Sequence, residues 1–297
     1  MTLYEDKPLR KLNELIDSWQ PDLIHAVPYD KTIFQLLHHR HDLVIVGTEP
    51  CDGSLRCGWW YSGQPLQEVL PRFNGVHVLS HRALHNLRVE YGWDGPSEVI
   101  LPPFSFTAPW PLWNRKTPIY RLFFAGRLAT EKGIEQLIGS LAQARRVIAP
   151  ISIDIWGTGP EEDYLKRLAI VAGVSSWINF RGGFASFDKI PFEDYDAMIL
   201  PSWFEGMPYV FIEALSSGLP TVVSSNGGMK ELSGVEALAH FFEPGCQDAL
   251  VSALANLYTH YAVNADAPDL RRRLVADQFS PVVVNERYQE FYRSILS

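Results

Sequence analysis

Cysteine is scarce in this chain: Cys51, Cys57 and Cys246 are the three in 297 residues. Three thiols build no disulfide framework and suit a reducing compartment. Cys51 and Cys57 stand close together, but a zinc site needs two more ligands than they supply, so they read as loop thiols. Long apolar runs are missing too. No stretch of about 18 apolar residues occurs, so no membrane span is expected. The opening "MTLYEDKPLRKLNELIDSWQ" is charged and amphipathic, without the apolar core of a signal peptide. Nor is there a basic excess: the formal net charge is −8, whereas a nucleic-acid binder wants a basic face. These absences predict a cytoplasmic protein with no nucleic-acid partner and at most peripheral membrane contact.

What remains is an ordinary globular balance, 46% hydrophobic and 20% charged, in a chain long enough for two domains with separate cores. Short apolar runs alternate with helical patterns, the signal for βα units and parallel sheets. In the first part the pattern predicts helices at Leu9–Trp19, Lys31–His39 and from His81, and strands at Asp22–Val27, Asp42–Thr48, Gly75–Ser80 and "EVILPP". The aperiodic, Pro-rich segment Pro102–Pro118 reads as a linker. A second set of strands follows: "IYRLFFAG", "ISIDIWG", "SWINFRG", "AMILPS" and "TVVSS". "PVVVNERYQEFYRSIL" closes the chain as an amphipathic helix.

The expected fold is therefore α/β, with two Rossmann-like, doubly wound parallel-sheet domains facing a cleft. A reduced first domain spans 1–118, including the linker 102–118; a second spans 119–279; a last helix, 280–297, packs back on the first. Ligands of such sheets bind outside the carboxyl ends of the strands. The residues that follow strands are the ones to read for chemistry.

After "RLFFAG", Arg127 and Lys132 stand in a Gly-bounded loop, one a planar fork and one a point charge, as suits a diphosphate. The alternative is a solvated loop with ion pairs to Glu131 and Glu135. Gly157 and Gly159 mark a strand-to-helix turn that lacks a third glycine. Glu161, Glu162 and Asp163 at that helix start would repel a phosphate, so the turn reads as structural. Asp194-Tyr195-Asp196 forms a D-x-D, but it precedes a strand and so faces the wrong end of the sheet.

"PSWFEGMPYVFIEALSSG" is different. It puts Glu205 in a loop after a strand and Glu213 in the second turn of a helix that starts near Pro208. A carboxylate on a buried face costs on the order of several kcal/mol unless it is partnered. The amides of Met207, Tyr209 and Val210 lie where a helix N-terminus favours an anion, and Gly206 lets backbone approach a ligand. Two carboxylates flanking an anion site match the layout of a nucleotide sugar, with phosphate in the middle and hydroxyls at both ends.

Four blocks, "GRLATEKG", "GTGPEEDYLKRL", "ILPSWFEGMPYVFIEALSSGLPTVVSSNGGMKEL" and "FEPGCQDALVSALANL", resemble the C-terminal domain of retaining glycosyltransferases of the GT-B fold, family 4. The E-x7-E hallmark of that family is Glu205 and Glu213 here. The resemblance is strong over about Tyr120–Leu257 and weaker over "PDLIHAV", "VIVGTEP", "GVHVLS" and "EVILPP". It implies that Arg127 and Lys132 bind the donor diphosphate and neutralise its departing charge. Glu213 would accept hydrogen bonds from the ribose diol. Glu205, with Gly206, Met207, Pro208, Tyr209 and Val210, would hold the donor sugar and its phosphate, and Phe184 would lie against the base. The resemblance further implies retention at the anomeric carbon, no metal, and no cofactor beyond the nucleotide-diphosphate sugar as co-substrate. The acceptor would be a glycan, a lipid-linked molecule or a small molecule.

Two departures accompany it. The family's first domain is longer and opens with a strand and a glycine-rich loop. Either this acceptor lobe is reduced, or a partner chain supplies the missing strands. Relatives often carry a histidine just after the strand matched by "VIVGT", where this chain has Glu49; His25 matches another histidine common in the family. His25, Glu49, Trp59 and Trp60 are the candidate sugar or acceptor contacts, each with a structural alternative. The remaining histidines read as surface or packing residues. Besides the enzyme, two readings stay open: a donor-binding subunit that needs a second polypeptide, and a nucleotide-sugar epimerase of the same fold.

Overall fold

The computed structural model describes residues 7–27, 31–49, 60–61, 64–105, 112–148 and 150–297. They fall into two compact units, Met1–Pro102 with Val282–Ser297, and Pro103–Pro281. Each is built on a parallel α/β sheet, and the first also holds a short antiparallel pair, Trp60–Tyr61 with Gln64–Pro65.

The sheet of the first unit has the order β1 (Ile24–Ala26), β2 (Ile45–Glu49), β3 (Gly75–Val78), β4 (Ser97–Val99), every neighbour parallel. Side chains alternate between the faces of a strand. One face carries Ala26, Ile45, Val76 and Val78 into a core shared with Ile16 of α1 (Lys7–Trp19), Leu36 and Leu37 of α2 (Lys31–His39), and Ala83 and Leu87 of α3 (His81–Tyr91). The other face offers Val46, which packs with Ile100 against Val284 and Phe291 of the closing helix Pro281–Leu296. The α3 helix starts at Ser80, whose hydroxyl accepts from the Ala83 amide, and ends at Gly92 with φ +66°.

The same alternation puts His25, Thr48 and His77 on the face of the closing helix, where they form one ordered chain. His77 Nε2 is 2.7 Å from the Ile100 carbonyl. A carbonyl only accepts, so this nitrogen donates and Nδ1 accepts from the Thr48 hydroxyl at 3.1 Å. Thr48 in turn accepts from His25 Nε2 at 2.7 Å, and His25 Nδ1 accepts from the Tyr292 hydroxyl at 2.6 Å. Burial pushes both imidazoles down to about 4, in keeping with neutral rings.

This network predicts an acid-sensitive first unit. Each histidine binds no proton in the fold until about pH 4 but takes one in the unfolded chain near 6.5, so stability is full above 6.5 and falls as pH drops toward 4. For the buried His77 the loss is about 3 kcal/mol. Urea unfolding from pH 7 to 4 should show this slope, and His77→Gln should flatten it. An equally steep slope in the variant would assign the loss to other groups.

The second unit has the sheet order β10 (His240–Phe242), β9 (Thr221–Ser224), β8 (Ala197–Leu200), β5 (Arg121–Ala125), β6 (Ser152–Trp156), β7 (Ile178–Gly182), all parallel. Succession runs outward on one side from β5 to β7 and on the other from β8 to β10. The order therefore reverses between β5 and β8. In an open parallel sheet that reversal opens a crevice at the carboxyl ends of the two strands. The helices are α4 (Ile134–Val147), α5 (Glu162–Val171), α6 (Tyr209–Ser216), α7 (Gln247–Thr259) and α8 (Pro268–Phe279), with shorter turns between.

One detail differs from the sequence reading. The segment 112–118 is not a bare linker attached to the first unit but part of the second. The reason is Trp113, fully buried, whose indole donates to the Tyr195 carbonyl and whose amide donates to Ser217. Asp196 holds the same region from below: its buried carboxylate accepts from the amides of Ile119 and Arg121 and the hydroxyls of Tyr258 and Tyr261. One aspartate of the D-x-D is thus used entirely inside the fold.

Candidate nucleotide-sugar site

The loops after β5 and β8 meet at the reversal point, and the residues singled out there come together. Lys132 Nζ lies 2.7 Å from Glu205 Oε1, which also accepts from the Ser202 hydroxyl at 2.7 Å. Glu205 is 8% exposed, so its charge is compensated by these two donors rather than by water. Around the pair, Ala125, Gly126, Arg127, Glu131, Leu200, Pro208, Tyr209 and Val210 line a pocket of about 390 Å³. Arg127 is exposed, and its guanidinium makes no hydrogen bond or ion pair among the described residues. It stands at the pocket as an uncommitted cation.

The ion pairs considered for this loop are not formed. Lys132 takes Glu205, while Glu135 accepts from the Trp203 indole at 2.5 Å. The physical reason is the turn Thr130–Lys132, which ends at Gly133 with φ +63° and swings Lys132 toward the β8 loop. A Cβ on Gly133 would sit 2.0 Å from the Pro201 carbonyl, so only glycine fits there.

Pro208 precedes α6, and the amides of Met207, Tyr209 and Val210 have no hydrogen-bond acceptor among the described residues. Three donors at a helix start beside a lysine and an arginine make an anion cradle. Tyr209 and Val210 line the pocket; the side chain of Met207 is instead buried in the core. Gly206 contributes its carbonyl to the Gly228 amide at 2.8 Å. Glu213 lies in the second turn of α6, half-buried, and its carboxylate has no hydrogen-bond partner among the described residues. Burial, with Asp188 adding to it, pushes its carboxyl up to about 7. A group so placed gains from any ligand that brings hydroxyl donors.

Other candidates fall outside this pocket. Phe184 is a half-buried residue just past β7 and does not line it. Gly157 and Gly159 serve packing, since a Cβ would lie 1.8 Å from the Gly126 carbonyl and 2.2 Å from that of Leu128, respectively. In the first unit, His25 has both ring nitrogens engaged in the internal chain described above, so it offers none to a sugar. Glu49 is no loop residue: it ends β2 fully buried, because the strand runs one residue further than its apolar pattern. Trp59 and the side chain of Trp60 lie outside the described residues.

One supporting element was not assigned a role from sequence. The Asn226-Gly227-Gly228 turn after β9 braces the Glu205 loop: Asn226 Nδ2 donates to the Trp203 carbonyl at 2.8 Å, and Gly227 has φ +78° with its Cα against the Glu205 carbonyl. "NGG" after a strand was the available signal. Among the described residues, no group of three or more His, Cys, Asp or Glu side chains could hold a metal ion.

With this geometry in hand, the chain can be set beside known proteins. Residues 119–260 match the family Glycosyl transferases group 1. An uncharacterized glycosyltransferase of Methanocaldococcus jannaschii is 26% identical over 262 residues, covering 77% of this chain and 65% of that protein. The GtfA subunit of a UDP-N-acetylglucosamine–peptide N-acetylglucosaminyltransferase from Streptococcus gordonii is 36% identical over 103 residues, 35% of this chain and 20% of that one. The chain thus spans less than two thirds of the length of either relative. The crystal structure of Anabaena HepE in complex with UDP superposes with a TM-score of 0.76 at 18% identity, over 96% of this chain and 82% of that one. The fold is GT-B, with two Rossmann-like units, and the second unit carries the group 1 glycosyl transferase match.

Proposed function

We propose that this protein is a retaining glycosyltransferase that moves a sugar from a nucleotide-diphosphate sugar to an acceptor hydroxyl without a metal. The observation that carries the reading is the Lys132–Glu205 pair beside the free amides of α6 and the uncommitted Arg127. Lys132, Arg127 and those amides would hold the diphosphate and stabilise the charge that grows on it as the glycosidic bond breaks. Glu205, already oriented by Ser202, would take hydroxyls of the donor sugar. Glu213 would accept from the ribose diol. With cations and amides in place for the leaving group, a metal has no task left, and the departing phosphate oxygen can take the acceptor's proton. On this reading the acceptor is a glycan, a lipid-linked molecule or a small molecule.

Thermal unfolding with UDP, GDP, ADP and TDP, alone and as sugar conjugates, tests the reading. One nucleotide should stabilise the fold by roughly 2.7 kcal/mol at a hundred times its dissociation constant. Glu213→Ala should weaken that nucleotide while Glu205→Ala mainly lowers turnover. In wild type, binding should strengthen as pH rises through about 7, where Glu213 becomes an acceptor-only carboxylate. No shift with any nucleotide would sink the proposal.

A second reading, a donor-binding subunit completed by another polypeptide, draws support from the relative that is itself named a subunit. It predicts nucleotide binding without turnover, including no slow hydrolysis of the donor by the purified chain.

A further inference from the structure

Behind the pocket lies a buried side chain that the reaction itself does not use. Gln136 sits in the first turn of α4 at 8% exposure. Its Nε2 donates to the Pro201 carbonyl at 2.5 Å, and its Oε1 accepts from the Gly245 amide at 2.8 Å. The orientation of the amide is not arbitrary, because a carbonyl can only accept and an N–H can only donate. One side chain therefore ties together three loops at the carboxyl edge of the sheet. The first carries Lys132, four residues before it; the second, from Pro201, carries Glu205; the third, Glu243–Gly245, follows β10.

The same three loops are joined a second time through Trp203. Its amide donates to the Glu131 carbonyl at 2.9 Å, its indole donates to Glu135, and its ring packs where a Cβ on Gly245 would meet it at 3.2 Å. A glutamine in an otherwise amphipathic helix would be expected on the wet side. Here the helix is turned so that Gln136 faces inward, and its backbone carbonyl also takes the Ser140 hydroxyl.

We infer that Gln136 is a positioning residue of the donor site: by spanning Pro201 and Gly245 it sets the distance at which Lys132 meets Glu205. This rests on the function proposed above. Catalysis through fixed charges tolerates little displacement, and a shift of about 1 Å can cost on the order of 100-fold in rate. Ligand binding is less exposed to the same shift, since Gln136 makes no hydrogen bond to Arg127 or to the α6 amides, and those amides follow its anchor at Pro201 by six or more residues, which absorb a small displacement.

The experiment compares wild type with Gln136→Leu and Gln136→Glu in the full chain, using whichever nucleotide sugar the wild type turns over. Gln136→Leu should lower kcat by about 10- to 100-fold while the dissociation constant of the nucleotide diphosphate stays within about threefold. Gln136→Glu adds a readout that a merely structural role would not move. As a carboxylate it opposes the Pro201 carbonyl; protonated, it can again donate to Pro201 and accept from Gly245. Its kcat relative to wild type should therefore rise as pH falls from 8 to 5.5, and that of Gln136→Leu should not. The titratable groups on its own stretch and on the elements packed against α4 include Glu131, Lys132 and Glu135, Glu205 on the Pro201 loop, Glu243 beside Gly245, Asp248 on α7, and Glu162, Asp163, Lys166 and Arg167 on α5. Wild type carries all of them, along with Glu213, so taking the ratio removes their contribution. Wild-type kcat in Gln136→Leu, or two variants equally impaired at every pH, would overturn the positioning role and leave the site assignment standing. A wild type that binds no nucleotide would overturn both.

Discussion

Lys132→Ala should lower turnover by about 100- to 1000-fold, the scale on which removing one preorganised donor from a developing charge acts. The substitution does two things. It removes the point charge that faces the leaving diphosphate, and it strands Glu205, whose side chain is 11% exposed and otherwise has only the Ser202 hydroxyl. A carboxylate left in that state both destabilises the fold, by about 2 kcal/mol, and adds a repelling charge to the phosphate pocket. Pairing the substitution with Glu205→Gln separates the effects. The double variant should regain most of the stability and bind nucleotide better than Lys132→Ala alone, yet stay as slow. Urea unfolding and steady-state kinetics on the three variants decide it. Turnover within threefold of wild type for Lys132→Ala would remove Lys132 from the chemistry. Recovered stability together with recovered turnover would reduce the pair to a structural bridge.

Such a pair shows what a single sequence can and cannot convey. The strands were legible because β2, β3, β5, β8 and β9 are almost continuously buried and read as short apolar runs between turn residues. The helix at Lys31–His39 and the closing helix Pro281–Leu296 have the bounds their periodicity predicts. The order of the strands, and hence which loops lie at their carboxyl ends, follows from the same pattern. What periodicity does not encode is pairing. Lys132 and Glu205 are 73 residues apart, and His25 and Tyr292 are 267 apart. Nothing local in either partner announces the other. Glu49 was misplaced because a terminal carboxylate looks like the first loop residue; burial at a strand end is a property of the sheet, not of the segment. Gln136 was invisible for the converse reason, as a polar residue in a helix is ordinarily a solvated one.

Gly227→Ala should abolish donor binding and turnover although Gly227 contributes no side chain. Its φ of +78° is a region that L side chains seldom adopt, and an added Cβ would lie 2.1 Å from the Glu205 carbonyl oxygen and 3.1 Å from that of Gly206. Both obstacles are backbone, so no rotamer change relieves them. Either the Asn226–Gly228 turn or the Glu205–Gly206 segment has to move. The turn is held by Asn226 on the Trp203 carbonyl and by the Gly228 amide on Gly206, so it is the Glu205 loop and its brace that yield together. The expected loss is about 3 kcal/mol of stability, from the positive φ and the displaced backbone together. The functional loss is larger than that figure suggests, because the displaced segment is the one that carries Glu205 and leads into the α6 amides. The fold has enough buried apolar surface elsewhere to survive, with β8 and β9 fully buried and still paired. Far-ultraviolet circular dichroism should therefore stay near wild type while the nucleotide-induced shift in Tm disappears. Gly234→Ala is the control: its φ is +83°, but a Cβ there meets nothing within 4 Å, so it isolates the backbone cost from the collision. It should lose about 1 kcal/mol and keep its donor binding. If Gly227→Ala behaved like Gly234→Ala, the turn after β9 would have no hold on the site, and the position of Glu205 would have to be explained by Lys132 and Ser202 alone.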